Sequence, residues 1–267
     1  MANFQFVPDT TKYQPVNALA LARAAKLAYA DEPEIKQETQ AWGLGKFQFF
    51  DREDTQAFVS GNDKLIVVAF RGTQPKELQD WLTDADFELV DGPFGKVHDG
   101  FYGALRLVWR EIKQSIKSFQ DRGQSLWFTG HSLGAALANL AAAALREDDK
   151  PVHGLYTFGQ PRVGNREFER NFNADFKPRY FRFVNNNDLV TRVPLRSMTY
   201  SHAGSFLYFD SDGKLSDDLH WWFRFLDSVE GRIEDLGKLG PDDIKDHSMD
   251  KYIANLENNI AVNPFSA

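Results

Sequence analysis

The chain has 267 residues, 42% of them hydrophobic, 14% aromatic and 26% charged, the balance of a globular protein built on one large core. Its formal net charge of -7 and the lack of any lysine and arginine cluster argue against a nucleic-acid partner. Without a cysteine there is neither a disulfide framework nor a thiolate metal site, and no metal or organic cofactor is expected.

The first apolar stretch, VNALALARAAKLAYADEP, reads as an amphipathic helix capped near Asn17 and stopped before Pro33. Arg23 and Lys26 interrupt it, so it does not read as a targeting segment. With no evident signal peptide and no cysteine, a cytoplasmic location is expected over a secreted one. No run approaches the ~18 apolar residues of a membrane-spanning helix. Phe47 to Phe50, Gln56 to Ser60 and Lys64 to Phe70, separated by the turn compositions DREDT and GND, predict three consecutive antiparallel strands.

The pattern then alternates. Helix Phe101 to about Phe119 is followed by strand Leu126 to Thr129, helix Leu133 to about Arg146 and strand Val152 to Phe158, then short helix Glu167 to Phe176 and strand Arg179 to Val184. This predicts an α/β chain over 1–267, a single domain with a mixed, mostly parallel central sheet and helices on both faces. SFLYFDSDGKL reads as a hairpin; Asp210 and Asp212 in it lack the twelve-residue ligand pattern of a calcium loop. Trp221, Trp222, Phe223 and Phe225 read mainly as packing under the site, with an acyl groove or bilayer contact as the alternative. SMDKYIANLENNI predicts a closing helix.

In FTGHSLGAAL, Gly130, Ser132 and Gly134 lie where a strand turns into a helix, the setting that lifts a serine hydroxyl above a sheet edge. The glycines fit a turn too tight for side chains; a serine that only N-caps the helix is the alternative. A serine hydroxyl attacks only when a base takes its proton and an acid orients that base, and on this architecture the order is serine, acid, histidine. His247, on a loop before the last helix, is the best placed base, with His202 in reserve ahead of His153 and His220. Asp188, on the loop leaving a parallel strand, is placed for the acid; position alone gives equal weight to an Asx-type turn. The N–H of Leu133 is one oxyanion donor by construction, and Thr73, ending FRGT, offers the second. Arg71 reads as a structural ion-pair partner.

Together VVAFRGT, VHDGFYGAL, FTGHSLGAALANLAA, YTFGQPRVGN, FRFVNNNDLVTRVP and DHSMDKYI resemble the class 3 lipases of the fungal triacylglycerol lipase type, within the α/β-hydrolases, from about Leu65 to Ile253. The resemblance implies Ser132 as nucleophile, Asp188 as acid, His247 as base and Thr73 with Leu133 as oxyanion hole. His98 and His131 match the family pattern and are read as architectural. It also implies a short helical lid at about 74–90, on which Leu78, Trp81 and Leu82 share one face at i, i+3, i+4 spacing. A helix packed permanently on the core is the alternative. The expected activity is hydrolysis of acylglycerol esters through an acyl-enzyme, with substrate met at a lipid-water interface. A phospholipase A1 or a soluble-ester esterase, aryl or feruloyl, shares every catalytic residue, and a non-catalytic lipid-binding module is the remaining alternative.

Overall fold

Apolar residues alternating with period two build the central sheet. In the strand Leu65–Phe70, Ile66, Val68 and Phe70 enter one core cluster, while Leu65, Val67 and Ala69 enter another. A strand buried on both faces must read as a continuous apolar run, as LIVVAF does. The computed structural model describes residues 4–74, 78, 87–186, 188–217 and 246–265. Within them the strands are β1 Lys46–Arg52, β2 Thr55–Gly61, β3 Leu65–Phe70, β4 Leu89–Gly92, β5 Gly95–His98, β6 Ser125–His131, β7 Gly154–Phe158, β8 Gly164–Asn165, β9 Tyr180–Asn185, β10 Tyr200–Ser201, β11 Ser205–Phe209 and β12 Leu215–Ser216. The helices are α1 Pro15–Leu27, α2 Glu32–Ala41, α3 Asp99–Phe119, α4 Leu133–Glu147, α5 Arg166–Phe176 and α6 Met249–Asn258.

Among the described residues eight strands form the main sheet in the order β1-β2-β3-β6-β7-β9-β11-β12. β1, β2 and β3 pair antiparallel; β3, β6, β7, β9 and β11 run parallel; β12 closes the far edge antiparallel to β11. The expected mostly parallel α/β sheet is therefore present. Helices α3, α4 and α5 cover one face and α1 and α6 the other. β4, β5, β8 and β10 make a second, antiparallel sheet. Among the described residues no helix is long and apolar enough to cross a membrane.

Three expectations need correction. Asn17 does not cap the first helix: Gln14 occupies that position and Pro15 the first turn, where a missing N–H costs nothing. Asn17 is instead buried and clasps the N-terminal segment, accepting from Val7 N at 2.8 Å and donating to Val7 O at 2.9 Å. Pro33 is not merely a stop. It lies in the first turn of α2, whose cap Asp31 accepts from Glu34 N at 2.9 Å. Finally, Leu89 and Val90 belong to β4, paired with His98 and Val97 of β5, so these two residues are strand and not part of the helical lid expected over about 74–90. Leu78 is buried; Trp81 and Leu82, like Trp221, Trp222, Phe223 and Phe225, lie outside the described residues. SFLYFDSDGKL forms the expected hairpin, with Asp210 Oδ1 accepting from Asp212 N and Lys214 N across the turn.

Candidate active site

The strand β6 passes into α4 through Ser132, whose backbone is held at φ 57, ψ -130. A positive φ at a residue with a Cβ is strained. Short spacing on both sides imposes it. A Cβ on Gly130 would strike the backbone of Gly134 and lie 2.7 Å from Ala135 N; one on Gly134 would strike Phe70 O and lie 2.7 Å from Arg71 C. Helix α4 thus starts directly against the end of β3, and only glycines fit. Ser132 N donates to Phe158 O at 3.0 Å, pinning the turn to β7. Leu133 opens α4, so its N–H is one of the unpaired donors of a helix N-terminus.

His247 Nδ1 donates to both oxygens of Asp188, at 3.0 Å to Oδ1 and 2.9 Å to Oδ2, with both side chains buried. Asp188 also accepts from Tyr252 Oη at 2.6 Å and from Val190 N at 3.1 Å. The Asx-type turn at Asp188 is present, and it fixes the carboxylate that holds the His247 imidazole. Burial pushes the Asp188 carboxyl up; the interaction with His247 and the hydrogen bonds from His247 and Tyr252 outweigh it and hold it below the usual carboxylate range. Asn185 N donates to Tyr252 Oη at 3.0 Å and Asn185 Nδ2 to Asp246 O at 3.0 Å, tying the acid's strand to the base's loop. Ser132 Oγ and His247 Nε2 are both buried without a hydrogen-bond partner. These are the two atoms a serine-histidine hydrogen bond would join, and in unliganded sites that bond is often open.

His131, read from sequence as architectural, is part of this cluster. Its Nε2 donates to the backbone O of His247 at 2.6 Å, which leaves Nδ1 to accept from Tyr29 Oη at 2.8 Å. The two imidazoles lie 4.3 Å apart between centroids. Burial, reinforced by the neighbouring His247, drives the His131 pKa well below its ordinary value, so the ring is a neutral strut. A Cβ on Gly72 would lie 2.5 Å from His131 O and 3.0 Å from Ser132 Cβ, so the loop carrying Thr73 also abuts the serine. Thr73 and His247 share the wall of a groove of about 800 Å³ running between α1, α2 and α6, with Leu27, Trp42, Leu78, Met249 and Ile253 on its apolar surface.

The other histidines are engaged elsewhere. His202 Nε2 donates to Thr191 O at 2.8 Å on the opposite side of the sheet from α6, so it is no reserve base. His153 Nδ1 accepts from Leu126 N at 3.0 Å, and His98 caps α3. His220 lies outside the described residues. Arg71 bonds the Gln56 side chain, an amide and not a carboxylate. Sequence reasoning missed Tyr252, Tyr29 and Gly159. Gly159 sits at φ 58 just past β7, where an added Cβ would lie 2.8 Å from Asp188 Oδ2, His247 Nδ1 and His247 Cε1. A glycine at the carboxyl end of a parallel strand, where sites collect, was the available signal; the tyrosines carried none. Among the described residues no cluster of acidic or histidine side chains is arranged to hold a metal ion.

Residues 67–198 match the family model described as Lipase (class 3). The chain is 32% identical to the triacylglycerol lipase OBL1 of Arabidopsis thaliana over 70% of its own length and 48% of that protein's. It is 35% identical to the secreted mono- and diacylglycerol lipase A of Penicillium cyclopium over 56% of its length and 50% of that protein's. The chain thus spans about half the length of these relatives. Among solved structures, a mono- and diacylglycerol lipase from Aspergillus oryzae superposes with TM-score 0.64 at 26% identity, covering 75% of this chain and 81% of that one. A triacylglycerol lipase whose catalytic centre is described as a serine-protease triad gives 0.61 at 26%, covering 75% and 82%. The secreted fungal relatives overturn the expectation of a cytoplasmic location. Lack of cysteine removes a staple that needs an oxidising compartment, but it does not tie a chain to a reducing one.

Proposed function

Because this chain belongs to the class 3 lipases, we propose that it is a serine carboxylic ester hydrolase acting on acylglycerols through an acyl-enzyme on Ser132, with Asp188 and His247 completing the triad. The observation that carries this reading is the buried His247-Asp188 pair beside a serine held at positive φ on a strand-to-helix turn. His247 Nε2 takes the Ser132 proton as Oγ attacks the ester carbonyl, while Asp188 fixes the tautomer and stabilises the imidazolium. The N–H groups of Leu133 and Thr73 receive the developing oxyanion, a contribution of about 3 kcal/mol per donor. The imidazolium then protonates the leaving alcohol, and the neutral ring draws a proton from the water that cleaves the acyl-enzyme. We read 1–267 as one such domain whose lid begins near 74.

The groove beside Thr73 and His247 suits an alkyl chain. Its charged rim favours a neutral acylglycerol over an anionic phospholipid. Glu34, Glu38, Asp250 and Glu257 line it against Arg23 and Lys26, and both cations are already paired with α6, Arg23 with Glu257 at 2.8 Å and Lys26 with Asp250. The reading is tested by labelling with a serine-directed phosphonate and by hydrolysis of esters of increasing acyl length, dispersed or emulsified. Ser132→Ala should abolish both. Labelling or turnover that survives Ser132→Ala, or a preference for anionic phospholipid, would refute it.

A further inference from the structure

On the α5 side of the sheet, away from the groove and sharing no lining residue with it, lies a cavity of about 330 Å³. Arg182, in the middle of β9, is only 3% exposed and lines it. Its guanidinium carbon lies 5.1 Å from the ring centroid of Phe206, its partner across the β9-β11 register, and its Nε and Nη1 have no hydrogen-bond partner. Burial of an unpaired cation is unfavourable, yet this one keeps its proton at neutral pH: burial brings its pKa down to about 10, with Tyr180, Tyr252 and Glu169 opposing. Glu169 shares the cavity wall and forms no ion pair with Arg182 among the described residues.

Among the described residues the cavity wall carries more positive than negative charge. Arg162, also buried, lines the same wall, with Nη1 donating to the carbonyls of Arg192 and Pro194. Exposed Arg196 and Lys177 also line it, so that among the described residues the wall carries four cationic side chains, Arg162 among them already engaged, and two carboxylates, Glu169 and Asp217. Burial first, then Arg182, Arg162 and Arg196, push the pKa of the nearby His202 well below the ordinary value.

We propose that this cavity binds a small oxyanion, a phosphate- or carboxylate-type group received by the free edge of the Arg182 guanidinium and steered in by Arg196 and Lys177. A guanidinium fork matches either group with two parallel hydrogen bonds. Both inorganic phosphate and the carboxylate of a short fatty acid present that chemistry, and the experiment separates them.

Calorimetric titration of the purified chain with inorganic phosphate and, separately, with butyrate, at fixed ionic strength balanced by chloride, should show one saturable site for at least one of them. Its affinity should fall tenfold or more in Arg182→Gln and severalfold in Arg196→Gln, whose exposed position leaves folding intact. A ligand that binds only the native state also raises Tm. Arg182→Gln should therefore melt above wild type in chloride, where it removes an unpaired buried charge, and below it at saturating ligand. Absence of saturable heat with both anions, or equal affinity in wild type and Arg196→Gln, overturns the proposal even if Arg182→Gln fails to fold. Saturation by phosphate alone or butyrate alone identifies the source.

Discussion

Gly159→Ala is a one-carbon probe of the triad geometry. The new Cβ would lie 2.8 Å from Asp188 Oδ2 and from His247 Nδ1 and Cε1, where ordinary contact begins at 3.4 Å. The pair must retreat by at least about 0.6 Å, and because Tyr252 and Val190 hold the carboxylate, the imidazole gives way. Misplacement on the order of 1 Å costs about 100-fold in rate, so kcat on a short soluble ester should fall by roughly that factor with KM little changed. Alanine at φ 58 adds about 1–2 kcal/mol of backbone strain, which could lower activity by unfolding alone. Gly43→Ala separates the two effects: Gly43 has φ 77 with nothing within 4 Å of the added carbon, so it bears similar strain far from the pair. The assay is initial rates for both variants below their melting temperatures, with folded fraction from circular dichroism. If Gly159→Ala keeps kcat within threefold of Gly43→Ala, the argument that this glycine spaces the acid and base is wrong.

Asp188→Asn should lower kcat by about 10⁴, since an amide favours the wrong imidazole tautomer. Asp188 is depressed in the fold, so its contribution to stability is complete above the unfolded value of about 3.9 and is lost as pH falls through the lower native one. Denaturant titrations from pH 6 to 2 should show the stability gap between wild type and Asp188→Asn narrowing below about pH 4; a constant gap contradicts the assignment. His131, neutral in the fold, must take up a proton on unfolding below about pH 6.5. Stability should then fall on acidification by about 1.4 kcal/mol per pH unit from this group alone, and His131→Gln should remove that slope between pH 6 and 5. An identical slope in both proteins would refute it. Gly134→Ala places a carbon against Phe70 O and Arg71 C and should cost more than the ~1–3 kcal/mol of ordinary overpacking; a variant with unchanged Tm would show that the turn has slack.

Local pattern determined the frame and the main actors. LIVVAF reads as a strand, and the glycines around Ser132, set between an apolar run and an alanine-rich one, as a turn from strand to helix, because side-chain period and backbone sterics act between near neighbours; burial of that strand on both faces came from the packed sheet. Order along the chain then made His247 the candidate base and left Asp188 evenly weighted between acid and turn, a balance that only the resemblance to the class 3 lipases tips. The start of α2 is equally local: Asp31 as cap and Pro33 in the first turn write it in adjacent residues, so Pro33 begins a helix as well as bounding the one before it.

Contacts between residues far apart in sequence were decided by the tertiary structure alone. Tyr252 donates to Asp188 across 64 positions, Tyr29 meets His131 across 102, and His131 reaches the His247 carbonyl across 116. The same holds for the unpaired guanidinium of Arg182, which in FRFVNNND looks like any alternating polar strand residue and is buried only because β11 and α5 close over it. Sequence pattern reports the forces a residue feels from its neighbours in the chain, whereas hydrogen-bond pairing and desolvation depend on which segments the packed sheet brings together.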